Sequence, residues 1–193
     1  MKRHRHVALC PLLAVGFSAF LACSGGSGGG SPSSSDTTLG LTYTNPVSGQ
    51  YQLVRDSAST RTHLVLDLVG SAPITLSGIG FHLTADTTEV TWSTVGSNRV
   101  SSSLFTSPLV KTQVAGDAFQ AGVYQLGSTP AITVTAGEVL ASIALDLKDG
   151  LNLPAGTVIN LAAPAGKALI LKAPGTTPAT AAITLSVGTL MAN

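Results

Sequence analysis

Two histidines carry most of the chemistry that this sequence can offer. His63 and His82 are the imidazoles that follow residue 22, and an imidazole can act as a general base or as a metal ligand. Each lies at an outward position of a predicted β-strand, where an ordinary exposed sheet histidine is the favoured interpretation. Asp67 shares the predicted face of His63, but an extended strand places it about 13 Å away. The two side chains therefore cannot pair directly unless another strand comes between them.

The sequence motifs of the common enzyme classes are missing. There is no Gly-x-Ser-x-Gly elbow and no His-Glu-x-x-His zinc motif. A phosphate-binding loop is also missing, because Gly78-Ile79-Gly80 lacks the third glycine and a following helical pattern. We therefore predict that the protein is not an enzyme and has no catalytic residue. A hydrolase would need a constellation that the sequence does not display.

Two pairs of carboxylates near predicted turns could supply oxygen ligands for calcium, namely Asp86 with Glu89 and Asp146 with Asp149. Neither pair matches an EF-hand loop, so capping or solvated-turn roles are favoured. The segment 86–89 suits either a capping box or a plain Asx turn. We predict no metal ligand and no cofactor.

Composition limits the classes of protein that the chain can belong to. The 193 residues are 44% hydrophobic and 10% charged, which is typical of a folded rather than a disordered chain. Beyond residue 22 there are seven Lys and Arg against nine Asp and Glu, a net charge of −2. No basic field is left to attract nucleic acid, and we predict no nucleic-acid partner.

The N-terminal residues 1–22 have the order of an export signal. Lys2, Arg3 and Arg5 precede an apolar run over residues 7–22, as in a signal peptide. A transmembrane anchor is the alternative, but about 20 apolar residues are needed to span a bilayer. This run is shorter and contains Pro11, so a signal peptide is favoured.

The position of the second cysteine indicates which kind of signal peptide this is. Cys10 and Cys23 both lie in or at the end of the leader, which excludes disulfides and thiolate metal sites in the rest of the chain. Leu21-Ala22-Cys23-Ser24-Gly25 resembles the lipobox of bacterial lipoproteins, which implies that Cys23 is lipidated and anchors the chain to a membrane. Cleavage after Ser24, with release of a soluble protein, is the alternative. Ser24 is not the aspartate of an inner-membrane retention signal, so we expect an outer-membrane or cell-surface location.

Residues 23–38 are rich in glycine and serine, and they predict a flexible tether. From residue 39 onward the pattern becomes alternating apolar and polar positions separated by turn residues, which predicts β-strands. Leu64, Leu66 and Leu68 form one inward row, and Trp92 alternates with its neighbours as a core residue does. No window keeps a helical period. The fold class that follows is all-β, with two packed sheets over residues 39–193.

Three segments of the chain together resemble those of a known family. They are Gly78-Ile79-Gly80-Phe81-His82-Leu83-Thr84-Ala85-Asp86 with the following Glu89-Val90-Thr91-Trp92, then Gly137-Glu138-Val139-Leu140-Ala141-Ser142-Ile143-Ala144-Leu145-Asp146-Leu147, and finally Val187-Gly188-Thr189-Leu190. In this order they are similar to segments of cohesin domains. The resemblance implies a jelly-roll β-sandwich of about nine strands, a fold shared with bacterial carbohydrate-binding modules. It also implies docking to a protein partner rather than chemistry. No contact residue of the family can be transferred to this chain.

The sequence therefore predicts a lipid-anchored surface protein that binds a protein partner, with a membrane as its second contact. A carbohydrate-binding module is the first alternative and a hydrolase the second. Glycan binding would need exposed rings, for which Tyr43, Tyr51 and Tyr124 are candidates. Four outward polar residues are the predicted binding patch, on the condition that their strands are neighbours: His63, Asp67, His82 and Thr84.

Overall fold

Short apolar segments divided by turn residues form β-strands throughout the described structure. The computed structural model describes residues 39–93, 102–126 and 130–193. The strands are β1 (Leu41–Thr44), β2 (Tyr51–Arg55), β3 (His63–Gly70), β4 (Ile74–Leu76), β5 (Gly78–Ala85), β6 (Val90–Trp92), β7 (Pro108–Ala115), β8 (Ala118–Gln125), β9 (Ile132–Val134), β10 (Val139–Leu147), β11 (Val158–Ile159), β12 (Leu161–Ala162), β13 (Ala168–Leu171), β14 (Thr180–Ile183), β15 (Leu185–Ser186) and β16 (Thr189–Ala192). Within these ranges there is no helix that is long and apolar enough to cross a bilayer.

Two large sheets dominate the fold. The five-stranded sheet has the order β15-β2-β3-β10-β6, and the six-stranded sheet has the order β14-β13-β5-β8-β7, with β12 also pairing with β5. Neighbouring strands in both sheets are antiparallel except β15, which runs parallel to β2. A three-stranded sheet, β1-β16-β11, and the β4-β9 pair complete the pairing. The predicted all-β, two-sheet sandwich is confirmed.

The core lies between the two large sheets, because each strand turns its alternate apolar side chains to the same side. Leu64, Leu66 and Leu68 of β3 are at most 1% exposed, as are Ile79 and Leu83 of β5. The ring of Trp92 on β6 stacks on the ring of Phe119 on β8, with centroids 4.8 Å apart and planes inclined by 24°. This contact joins one sheet to the other and confirms the prediction that Trp92 packs in the core.

Two segments pass from one sheet to another at a single residue. At Thr184 the chain leaves β14, which pairs with β13, and enters β15, which pairs with β2. At Asn160 it leaves β11, which pairs with β16, and enters β12, which pairs with β5. These switches connect the edges of the sandwich.

Residues Thr37–Asn193 form one compact unit. The hydrophobic cluster of the described residues, which runs from Leu41 to Ala192, lies wholly within this unit. The segment therefore contains the core that it needs to fold by itself. The predicted signal peptide (1–22) and tether (23–38), including Cys23, lie outside the described residues.

Candidate functional site

A shallow cavity of about 410 Å³ lies on the outer face of the six-stranded sheet. Strands β5, β8 and β7 supply most of its surface, and the start of β13 supplies the rest. We refer to this surface as the trough. It is lined by Gly80, Phe81, His82, Lys111, Thr112, Gln113, Gln120, Ala121, Gly122, Tyr124, Lys167 and Leu169.

Glycines make the trough possible. Gly80 on β5 pairs with Gly122 on β8, and Gly78 pairs with Tyr124. A Cβ atom at Gly80 would lie 2.8 Å from the Tyr124 hydroxyl, and a Cβ at Gly78 or Gly122 would overlap the ring itself. The Tyr124 ring therefore lies across the backbone of two strands, where it covers positions that would otherwise have no side chain to pack.

The rest of the lining is cationic, amide-rich and partly apolar. Lys111 and Lys167 are exposed, and Leu169 is 39% exposed despite its size. Gln113 lies directly opposite Gln120 across the β7–β8 pair. None of the lining residues carries a carboxylate. An occupant with acidic groups and some apolar surface would match this face.

The four residues predicted to form one patch do not share a face. His82 and Thr84 lie on β5 in the six-stranded sheet, and His82 lines the trough. His63 and Asp67 lie on β3 in the five-stranded sheet. Strands β3 and β5 belong to different sheets, so the condition that these strands be neighbours is not met. The outward sides of the two sheets of a sandwich also point in opposite directions. That part of the prediction was wrong.

Strand β10 lies beside β3 and supplies the partners that the sequence alone could not identify. Asp146 is directly opposite His63, and its Oδ1 contacts the imidazole Nδ1. Thr91 on β6 lies on the far side of Asp146. A nucleophile relay needs the imidazole between the hydroxyl and the carboxylate. Here the carboxylate lies between the other two groups, so this row does not form such a relay.

Of the carboxylates near turns, Asp86 has hydrogen-bond partners within its own turn. The backbone N–H and the hydroxyl of Thr88 donate to Asp86 Oδ1 at 2.9 and 2.5 Å, which makes segment 86–89 an Asx turn. These hydrogen bonds hold the pKa of Asp86 below its usual value. Over the described ranges, no three His, Cys, Asp or Glu side chains come together as a metal site would require.

A second cavity, of about 460 Å³, lies where the loop after β1 meets the connection between β15 and β16. Its lining residues are Thr44, Asn45, Pro46, Val47, Ser48, Ser186, Val187, Gly188 and Thr189. These side chains include no titratable group. Among these two cavities, only the trough therefore combines charge, an aromatic ring and apolar surface.

Comparison with known proteins gives a structural likeness. No protein-family model matches the chain, and no curated protein matches it. The sixth cohesin of scaffoldin B from Acetivibrio cellulolyticus, solved in complex with a doubly substituted Cel5 dockerin, aligns with a TM-score of 0.51. The alignment covers 72% of this chain and 96% of that chain, at 13% sequence identity. The fold is cohesin-like.

The sequence predicted only one part of the trough in this cohesin-like sandwich. His82 was selected for its imidazole, whereas the features that shape the trough are Gly78, Gly80, Gly122 and Tyr124. Gly122 lies on the strand next to Gly78 and Gly80, where no single-strand motif would place it. Glycines at alternate, outward positions of a strand were the available signal, because such positions usually carry side chains.

On the opposite sheet, Asp67 is a buried carboxyl group. It is 9% exposed, and Ser142 Oγ donates to its Oδ1 at 2.6 Å. Burial raises the pKa of Asp67, and the side chain of Asp56 raises it further, while the hydrogen bond from Ser142 opposes the shift. The folded protein therefore holds this proton to a higher pH than the unfolded chain does.

This shift gives Asp67 a defined effect on stability. Between the raised pKa of the folded state and the ordinary value of 3.8, the folded state binds more protons, so its stability falls as pH rises through this window. We expect Asp67→Asn to be more stable than wild type at pH 7, with a difference that shrinks as pH falls towards 3.8. Denaturant unfolding at several pH values measures this.

Ser142→Ala provides the matched comparison, because it removes the hydrogen bond that favours the charged form of Asp67. It should steepen the loss of stability with rising pH, the opposite of the Asp67→Asn effect. Parallel pH profiles for wild type and Asp67→Asn would contradict the assignment.

Proposed function

We propose that this chain is a non-enzymatic, lipid-anchored envelope protein that binds a protein partner through the trough. The observation that carries the proposal is the trough itself: it combines Lys111, Lys167, the Tyr124 ring and the exposed Leu169 with no carboxylate in its lining. Aromatic and apolar anchors surrounded by polar groups are typical of protein-binding surfaces. The partner surface is acidic, with an apolar side chain that contacts Leu169.

The cohesin-like fold supports a protein partner as its class of ligand. The Acetivibrio cellulolyticus cohesin to which this chain is similar was solved in complex with a dockerin. At 13% identity this likeness concerns the fold, so the partner of the present chain is identified only by the chemistry of the trough.

The positions of the two histidines support a role without catalysis. His63 contacts Asp146 on one outer face, and His82 lies in the open trough on the other. Because these imidazoles are in different sheets, they do not converge on a closed pocket that would exclude water. A binding role needs no such pocket.

The anchor is the second part of the proposal. Cys23 follows the apolar leader and precedes the glycine-serine tether, which supports lipidation and an outer-membrane or cell-surface location. Mass spectrometry of the mature N-terminus is the test. A diacylated Cys23 supports the anchor, and an unmodified N-terminus beyond residue 23 contradicts it.

Carbohydrate binding is the second candidate, and one observation favours it. The Tyr124 ring lies over the glycines of β5 and β8, and Gln113 and Gln120 line the same trough. A ring face beside hydrogen-bonding amides can hold a sugar. A glycan array and a pull-down from envelope extract, both with residues 37–193, separate the two candidates.

The test of the trough is a charge reversal with a matched control. Lys111→Glu combined with Lys167→Glu should weaken partner capture at least about tenfold, because it places two carboxylates against an acidic partner. The control, Lys148→Glu combined with Lys172→Glu, makes the same change in net charge at lysines outside the trough lining and should bind as wild type does. Binding by surface plasmon resonance with the captured partner measures both. Equal loss in the two double variants would contradict a role for the trough.

A further inference from the structure

Strand β7 leaves a long sheet edge open. It spans Pro108–Ala115 and is the last strand of the six-stranded sheet, paired with β8 on one side. No other strand of the described ranges pairs with its second side. The other outer strands of the two large sheets are shorter: β14 has four residues, β6 three and β15 two. An open strand of this length is able to accept another strand.

The hydrogen-bond pattern shows which backbone groups point to the open edge. Ala85 N donates to Asp117 O at 3.0 Å and Gln125 N donates to Ser77 O at 2.8 Å. These bonds show that the backbone N–H and C=O groups of the odd-numbered residues of β8 point towards β5. Since antiparallel partners alternate, the even-numbered residues of β8 bond to the odd-numbered residues of β7. Three even-numbered residues of β7 therefore present both their N–H and C=O groups to solvent, namely Val110, Thr112 and Val114, and Pro108 presents its C=O alone.

The side chains of the same residues point to the inner side of the sheet. Val114 is opposite the buried Phe119, and Val110 is opposite the buried Val123. Nevertheless Val110 is 37% exposed and Val114 is 40% exposed. The facing sheet ends at β6, whose Trp92 packs over β8 rather than over β7. The open edge thus has apolar side chains as well as unpaired backbone groups.

We propose that β7 pairs antiparallel with β7 of a second copy of this chain, about a two-fold axis that passes beside Thr112. In this register Val110 lies opposite the second copy's Val114, and Thr112 lies opposite its counterpart. The three N–H and three C=O groups of Val110, Thr112 and Val114 in each copy then find a partner. Lys111 lies opposite Gln113 of the second copy, so like charges are not directly opposed.

Other registers satisfy fewer groups. An axis beside Val110 places Thr112 opposite Pro108, and an axis beside Lys111 places Val114 there; Pro108 has no N–H to donate. An axis beside Val114 places Thr112 opposite Gly116, and an axis beside Gln113 places Val110 there; Gly116 lies beyond the end of the strand, in a turn with φ of 60°. The strand is thus complementary to itself in one register, and this favours a second copy over an unrelated strand as the occupant. The pairing uses the open edge of β7, whereas the trough uses the outer face of the same strand, so the pairing does not rest on the proposed function.

Sedimentation velocity of residues 37–193 over a range of concentrations tests the pairing. We expect a dimer whose fraction rises with concentration. Thr112→Pro removes an outward N–H without removing a bond to β8, and it should weaken dimerisation at least about tenfold. Thr112→Val retains that N–H and should dimerise as wild type does. A wild-type protein that stays monomeric up to about 1 mM would overturn the proposal, as would equal dimerisation of Thr112→Pro.

A charge pair tests the register without proline. Val110→Lys with Val114→Lys places like charges opposite each other in the proposed dimer and should give a monomer. Val110→Lys with Val114→Glu places opposite charges there and should restore the dimer. Circular dichroism verifies that each variant is folded. Identical dimerisation of the two double variants would contradict the pairing of residue 110 with residue 114.

Discussion

Replacing Trp92 with alanine should lower the free energy of unfolding by about 3–5 kcal/mol, the usual cost of truncating a buried aromatic side chain. Trp92 is 2% exposed, and its ring stacks on Phe119 across the two sheets. Its indole N–H also donates to Asp117 O at 3.3 Å. The substitution leaves a cavity between the sheets and removes a hydrogen bond. Urea unfolding at equilibrium measures the loss.

Trp92→Phe separates these two contributions. A phenyl ring keeps most of the contact with Phe119 but has no N–H donor, and Asp117 O still accepts from the backbone N–H of Ala85 at 3.0 Å. We expect a loss well below that of the alanine variant, because the hydrogen bond contributes only about 1 kcal/mol. Similar losses for both variants would mean that the stacked ring stabilises the sandwich less than its geometry indicates.

Replacing Gly188 with alanine should be the most damaging glycine substitution in the part of the chain that the structure describes. A Cβ atom at this position would overlap the backbone carbonyl oxygen of Thr44 and lie 2.9 Å from the Tyr43 ring carbon Cζ. Gly188 N–H also donates to the Tyr43 hydroxyl at 2.6 Å. Since a backbone atom cannot move aside as a flexible side chain can, the connection between β15 and β16 must shift. We expect a loss of about 1–3 kcal/mol or more.

Gly70→Ala is the matched control for this substitution. Gly70 is buried and Gly188 is half-buried, but a Cβ at Gly70 would meet its nearest atoms at 3.6 Å, an ordinary contact distance. This substitution should change the free energy of unfolding by no more than about 0.5 kcal/mol. The thermal unfolding midpoint measures the effect. If the two variants unfold at the same temperature, close packing of Gly188 against β1 is not a determinant of stability.

Alternation in the sequence predicts the long strands well. The row from Val139 to Leu147 matches β10, and the leucines of β3 point to the core as expected. The first half of β8 has no such signal, because Ala118 and Gly122 have low β-propensity. This segment is held in place by β5 and β7 on either side. Tertiary pairing, rather than local preference, makes this segment a strand.

The candidate site was less predictable than the fold, since it depends on which strands are neighbours. His63 and His82 occupy similar outward positions in similar strands, yet β3 and β5 belong to different sheets. The partners of the polar residues come from far away in the chain: Asp146 contacts His63, and Ser142 donates to Asp67. Periodicity assigns a side chain to the inside or the outside of its strand, but it does not identify the sheet.

The single-residue switches at Thr184 and Asn160 bear on how this domain opens. Because Thr180–Ile183 continues directly into Leu185–Ser186, the edge of one sheet cannot peel away without pulling on the edge of the other. Local opening is inexpensive only where a segment separates without disturbing its neighbours. Deuterium uptake by the amides of β2 and β13 should therefore proceed as one cooperative event, with the same dependence on denaturant.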